Sequence, residues 1–289
     1  MHQDEHPHGL AHDLETLLRQ AHDRRRALRW LGGGAALALM GCGGGDDSDS
    51  ATTTTSSTST TTTTTSTTDT SSASCSVIPS ETAGPYPGDG TNSGGNGGIA
   101  NALAQTGIIR SNIVASFGSS TGTASGVPLT IKLKLVNTAS NCASLAGYAV
   151  YLWHCDALGR YSMYSSGIAG ENYLRGVQVA DSSGELTFTT IFPGCYDGRW
   201  PHAHFEVFAS QAAATSGAND IKTSQLAFPQ AACATVYTDS RYTGSATNLA
   251  RVSLATDNVF SDGATLETPT VTGSIAEGFV ATLRVGVAA

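Results

Sequence analysis

Two histidines separated by one residue, His202 and His204, lie in the run His-Ala-His-Phe-Glu-Val of residues 202–207. On a β-strand, residues i and i+2 point to one face, so both imidazoles share a side while Ala203, Phe205 and Val207 take the other. Two imidazoles a few ångströms apart form half of a transition-metal site. Only one other histidine, His154, occurs after residue 41. Just upstream of the pair, Pro193-Gly194-Cys195-Tyr196-Asp197-Gly198-Arg199-Trp200-Pro201 reads as a turn, placing Tyr196 and Arg199 close to the histidines in sequence. Earlier in the chain, Trp153-His154-Cys155-Asp156 leads to Gly159-Arg160-Tyr161.

The elements that must carry these residues read as strands. Leu129–Leu135 and Leu186–Phe192 alternate apolar and polar residues with period two, and Ala149–Trp153 is a more apolar strand. Further strand patterns fall at 204–208, 225–228 and 271–285. A helical period is not sustained past Ser80, and the connections are rich in Gly, Ser, Asn and Asp. These features predict an all-β domain over 75–289, built as an antiparallel β-sandwich.

Taken together, the motifs resemble those of the intradiol ring-cleavage dioxygenase family, which includes catechol and protocatechuate dioxygenases. The resemblance rests on Trp153 followed by Tyr161, Arg175-Gly176 with Asp181 and Gly184, the block from Phe188 to Tyr196, and the block from Arg199 to Phe205. Glu81-Thr82-Ala83-Gly84-Pro85-Tyr86 resembles the family's entry segment, so the likeness spans roughly residues 80 to 285. It implies a non-haem Fe(III) held by Tyr161, Tyr196, His202 and His204. It also implies catechol-type substrates cleaved with O2 to muconate-type diacids. In that scheme Tyr196 is displaced by the substrate and accepts a proton from it, and Arg199 stabilises negative charge developing on the ring. Gln178 stands where some members carry a polar pocket residue. Trp153 is expected in the core, and His154 is expected to be structural or exposed. The ligand set suits the ion, because hard anionic oxygens favour Fe(III) and a trivalent cation makes phenolate the stable form of tyrosine. The competing reading, from a different class, is a non-catalytic exported module whose histidine pair binds zinc or copper.

This chain departs from the family pattern in two places. Only two residues separate Tyr196 from Arg199, where protocatechuate enzymes carry a longer loop that helps set substrate choice. A long helical N-terminal segment like that of catechol dioxygenases is missing, so their helix-built dimer contact is not carried over.

The N-terminal part reads as an address and a tether. Arg24-Arg25-Arg26 precede an apolar run from Trp30 to Met40 that ends at Leu39-Met40-Gly41-Cys42. This is the secretory pattern, and its end resembles a bacterial lipobox with Cys42 as the lipidated residue, anchoring the protein to a membrane surface. Both a twin-arginine and a general secretory route fit. Residues 1–41 are thus expected to be an export signal. Residues 42–74, which run from the lipidated cysteine through a tract of Thr, Ser and Asp, are expected to be a disordered linker. The chain of 289 residues has net charge −8, and the acidic and basic residues of 1–41 cancel. With no basic cluster after residue 42, nucleic-acid binding is disfavoured. The six cysteines (42, 75, 142, 155, 195 and 233) include no Cys-x-x-Cys pair, which argues against a thiolate metal site. In an exported chain one or two disulfides are expected, with at least one thiol left over and the pairing open.

Overall fold

The computed structural model describes residues 75–289. The export signal, Cys42 and the Thr/Ser-rich linker expected over 1–74 lie outside the described residues. The described chain is largely β. In order it runs β1 (Asp89–Ser93), β2 (Ile99–Asn101), β3 (Pro128–Asn137), β4 (Ala143–Ser144), β5 (Ala149–Trp153), β6 (Arg175–Val179), β7 (Glu185–Ile191), β8 (His202–Phe208), β9 (Lys222–Ala227), α1 (Gln230–Val236), α2 (Ser245–Leu249), β10 (Thr270–Ser274) and β11 (Gly278–Val287).

The period-two patterns mark the strands they predicted. In β3, Leu129, Ile131, Leu133 and Leu135 are buried, while the residues between them are at least partly exposed. β7 alternates in the same way. β3 lies beside β11 on one side and beside β7 and the short β4 on the other, and β10 pairs with β11. The second sheet has the order β6-β5-β8-β9. Leu129, Ile131, Phe188 and Ala281 of the first sheet share one buried cluster with Val150, Leu152, Ala203, Phe205 and Leu226 of the second. The area-proportional gain from removing these side chains from water is what holds the two layers together.

One expectation needs correction. The pairing is not wholly antiparallel: β11 runs parallel to β3 from Phe279↔Leu129 to Val287↔Asn137, because the chain crosses over from one end of the layer to the other before β11. Two short helices also occur past Ser80. At seven and five residues they are too short to show a sustained helical period.

β5 and β8 are buried along their whole length, so the second sheet is covered on both faces. The face opposite the main core carries Ala149, Tyr151 and Trp153 of β5 with Val177 and Phe208, and packs against Leu103, Ile108, Tyr161 and Tyr164. This second face is where the polar stripe of β8 points.

A disulfide joins Cys75 to Cys142 and ties the start of the described chain to the turn after β3, while Cys155, Cys195 and Cys233 are buried free thiols. Among the described residues no helix is long and apolar enough to cross a membrane.

Glu267 is 0% exposed and accepts from Ser224 Oγ at 3.4 Å. Burial, reinforced by the charge of Glu81, pushes its carboxyl up to about 8. The folded chain therefore keeps a proton that the unfolded chain releases above an ordinary value of 4.5. Stability contributed by this group is full at low pH and is lost as pH rises from about 4.5 towards 8. Glu267→Gln is expected to remove a slope of up to about 1.4 kcal/mol per pH unit. Urea midpoints of parent and variant between pH 5 and 8 check this, and parallel pH profiles would contradict it.

Candidate metal centre

The four side chains named as ligands by resemblance meet at one point. Tyr161 Oη lies 3.3 Å from His202 Nε2, Tyr196 Oη lies 3.2 Å from the same nitrogen, and His204 Nε2 lies 3.1 Å from it. The histidines reach this point because β8 holds residues 202 and 204 on one face, with Ala203 and Phe205 turned into the main core.

The orientation of each ring has a local cause. His202 Nδ1 is 2.5 Å from the Trp200 carbonyl. A carbonyl only accepts, so Nδ1 carries the proton and the Nε2 lone pair faces the other three groups. The His204 ring stacks on Trp153 at 5.0 Å with an interplanar angle of 5°, as their positions side by side in the β5–β8 register dictate. Gly84, at φ +68°, takes a left-handed conformation that favours glycine, and a Cβ there would sit a tight 3.3 Å from His204 Cε1. Tyr161 follows a turn organised by Asp156. One oxygen of that carboxylate accepts from the Leu158 and Arg160 amides, and the other accepts from the Arg160 guanidinium. At the tip of this turn Gly159, at φ +78°, lets the chain close on Tyr196, where a Cβ would meet the Tyr196 Cβ at 2.7 Å. Tyr86 packs on Tyr161 with ring centres 4.9 Å apart. Tyr161, His202 and His204 are buried, and Tyr196 alone is half-buried.

The electrostatics of the protein alone favour neutral groups. Burial, and after it the Tyr196 side chain, pushes the Tyr161 phenol well above its ordinary range. Burial followed by the Arg199 charge pushes His202 well down, and burial followed by His202 does the same to His204. The imidazoles are therefore ready as ligands, whereas the phenols need a cation to give up their protons. Among the described residues no group of three or more His, Cys, Asp or Glu side chains could hold a metal ion. The candidate centre differs by drawing half its donors from tyrosine. Two phenol oxygens and two imidazole nitrogens on one focus fit a hard, highly charged ion such as Fe(III).

Arg199 is only 3% exposed. Its Nε donates to Asp257 Oδ2 at 3.0 Å and its Nη2 to Gln225 Oε1 at 2.8 Å. Although burial works against its charge, Tyr196 and Asp257 hold the guanidinium above its ordinary value.

Gln178 does not join this group. It lies on β6 opposite Val150, which in turn pairs with Val207. Period-two alternation therefore puts it on the face opposite His202 and His204, and its amide donates to the Val177 carbonyl at 3.0 Å. His154 is buried and structural, with Nδ1 at 2.8 Å from the Cys155 carbonyl and Nε2 at 2.7 Å from Thr190 Oγ1. Trp153 belongs to the core as expected, yet it also touches the site through its stack on His204.

Three contributors were missed in the sequence. Tyr86 falls within the entry motif but had no assigned role. Gln225 pairs with His204 across β8 and β9, and nothing sets it apart from the polar residues Lys222, Thr223 and Ser224 that precede it in β9. Asp257 lies 58 residues from Arg199 in sequence, and no local pattern marks it.

Known proteins share parts of this sequence and fold. A family model described as "Dioxygenase" matches residues 111–220, a span that contains all four candidate ligands. An intradiol ring-cleavage dioxygenase from Tetranychus urticae shares 26% identity with a TM-score of 0.56, over 74% of this chain and 95% of that one. A second dioxygenase crystal structure shares 25% identity with a TM-score of 0.57 over the same shares. The dioxygenase domain of a carbohydrate-binding fusion from Streptomyces sp. SirexAA-E shares 23% identity with a TM-score of 0.45, over 73% of this chain and 97% of that domain. None of the curated proteins compared with the chain matches it. The comparisons thus return the kind of protein that the motifs resemble: the chain is similar in sequence and fold to an intradiol ring-cleavage dioxygenase and a second dioxygenase, and over residues 111–220 to the dioxygenase family model.

Proposed function

We propose that the chain is a non-haem Fe(III) dioxygenase that opens catechol-type rings between the two hydroxylated carbons, adding both atoms of O2 to give a muconate-type diacid. The observation that carries this reading is the convergence of Tyr161 Oη, Tyr196 Oη and His204 Nε2 on His202 Nε2. Tyr161, Tyr196, His202 and His204 would hold the iron. When bound, ferric iron supplies the Lewis acidity that favours a doubly ionised catechol and makes its ring reactive towards O2.

The remaining chemistry falls to the protein's own groups. Tyr196 is the half-buried member of the set, so its phenolate is the ligand that can swing aside and accept a substrate proton at Oη. Tyr161, His202 and His204 are locked by burial and by their packing partners and stay in place. Arg199 keeps a fixed positive charge beside the tyrosines and histidines, where negative charge builds on the ring. Burial of most of the site excludes water and strengthens that charge. The short turn between Tyr196 and Arg199 leaves the substrate mouth less walled, which suits variation around the catechol ring.

The scaffold is read as a two-sheet β-sandwich, supported by the buried cluster that the two sheets share. The domain is also proposed to work outside the cytoplasm, tethered to a membrane surface through lipid on Cys42. The secretory pattern of residues 1–41 supports this, as does the Cys75–Cys142 bridge, since disulfides persist in oxidising compartments.

Oxygen uptake by ferric-loaded protein across a panel of catechols tests the reaction. One O2 consumed per ring-opened diacid formed is the expected result. No uptake with any catechol, or cleavage outside the two hydroxylated carbons, would overturn it.

A further inference from the structure

We infer that Asp257 is a positioning residue that fixes both the charge of Arg199 and the orientation of His202. Asp257 is 0% exposed, and a buried carboxylate persists only when paired and hydrogen-bonded. Its Oδ2 accepts from Arg199 Nε at 3.0 Å and from the Trp200 amide at 2.7 Å. Its Oδ1 accepts from the Val259 and Phe260 amides at 2.8 and 3.1 Å. Four donors on two oxygens leave the carboxylate a single orientation.

Two lines of contact run from this carboxylate towards the ligands. The first goes through Arg199, whose other arm is held by Gln225. Gln225 in turn donates to the Thr82 carbonyl at 2.8 Å, so the guanidinium is clamped between β9 and the 257–260 turn. The second goes through Trp200. Asp257 holds that residue by its amide, and the Trp200 carbonyl accepts the Nδ1 proton of His202, which sets the tautomer that aims Nε2 at the focus. One side chain from a distant segment therefore holds both Arg199 and the residue that orients the His202 ring. A group that stabilises developing charge works only when it is held in place beforehand. Without Asp257, the Arg199 side chain would keep its hydrogen bond to Gln225 and its place 5.8 Å from the centre of the Phe260 ring, and would lose its ion pair.

The kinetic consequence rests on the ring-cleavage reading, whereas the structural consequence does not, and the two are measured separately. In the metal-free full chain, 15N NMR is expected to show the Arg199 Nε–H protected from solvent exchange. Asp257→Asn is expected to speed that exchange by about 10- to 100-fold, as loss of a charge-assisted hydrogen bond predicts. In ferric-loaded protein, Asp257→Asn is expected to keep its iron and its KM while kcat falls by about a hundredfold. In an Arg199→Gln background the same change is expected to cost less than it does alone, because the share carried through Arg199 is already lost and only the line through Trp200 to His202 remains. An unprotected Arg199 Nε–H in the parent chain would overturn the inference even if the variant failed to fold. Fully additive losses in the double variant would overturn it as well. A parent chain that is inactive on every catechol sinks the ring-cleavage reading and leaves the exchange measurement to decide the role of Asp257.

Discussion

His204→Ala is expected to leave a folded domain that no longer retains ferric iron or opens catechol rings. The substitution removes one of the four donors at the focus, where His204 Nε2 stands 3.1 Å from His202 Nε2. Loss of an outer partner of a metal ligand costs about 10- to 100-fold in affinity or activity, and loss of the ligand itself is expected to cost more than that. The variant also removes the ring that stacks on Trp153, so some stability goes with it. Iron content after gel filtration, read beside circular dichroism, separates the two effects. A variant that binds iron one to one and turns over at the parent rate would remove His204 from the site.

Arg199→Met is expected to differ in its metal: ferric iron stays, while turnover and stability both fall. Taking away a preorganised charge that faces developing negative charge costs about 10²- to 10³-fold in kcat. The stability cost comes from Asp257, which is fully buried and has Arg199 as its ion-pair partner. Breaking a buried pair from one side costs about 3–5 kcal/mol, and three backbone amides still donate to the remaining carboxylate, which sets the expected loss at the lower end of that range. Steady-state oxygen uptake together with urea unfolding measures both, and unchanged kcat in iron-replete variant would show that Arg199 is structural only.

Much of this site was legible in the sequence, for physical reasons that can be named. A His-x-His pair on a strand shares a face whatever surrounds it, and the alternation of Leu129 to Leu135 is by itself enough to mark a half-buried strand. The candidate ligand tyrosines were legible only through motif resemblance, since nothing in local periodicity distinguishes Tyr161 from Tyr164, two buried tyrosines of the same cluster. Motif position misplaces Gln178 because it carries no strand phase, and one step along β6 moves a side chain to the other face. Asp257 and Gln225 were illegible because their roles depend on the folding back of segments far from Arg199 in sequence. The parallel pairing of β11 with β3 was hidden for a similar reason, since alternation fixes which face a residue takes and leaves strand direction open.

The measurement that bears most directly on the central claim is an anomalous difference map, recorded at the iron absorption edge from crystals of the ferric-loaded chain. The account predicts a single peak within bonding reach of Tyr161 Oη, Tyr196 Oη, His202 Nε2 and His204 Nε2. No peak at that focus, or an iron bound elsewhere while those four side chains contact only one another, would contradict it.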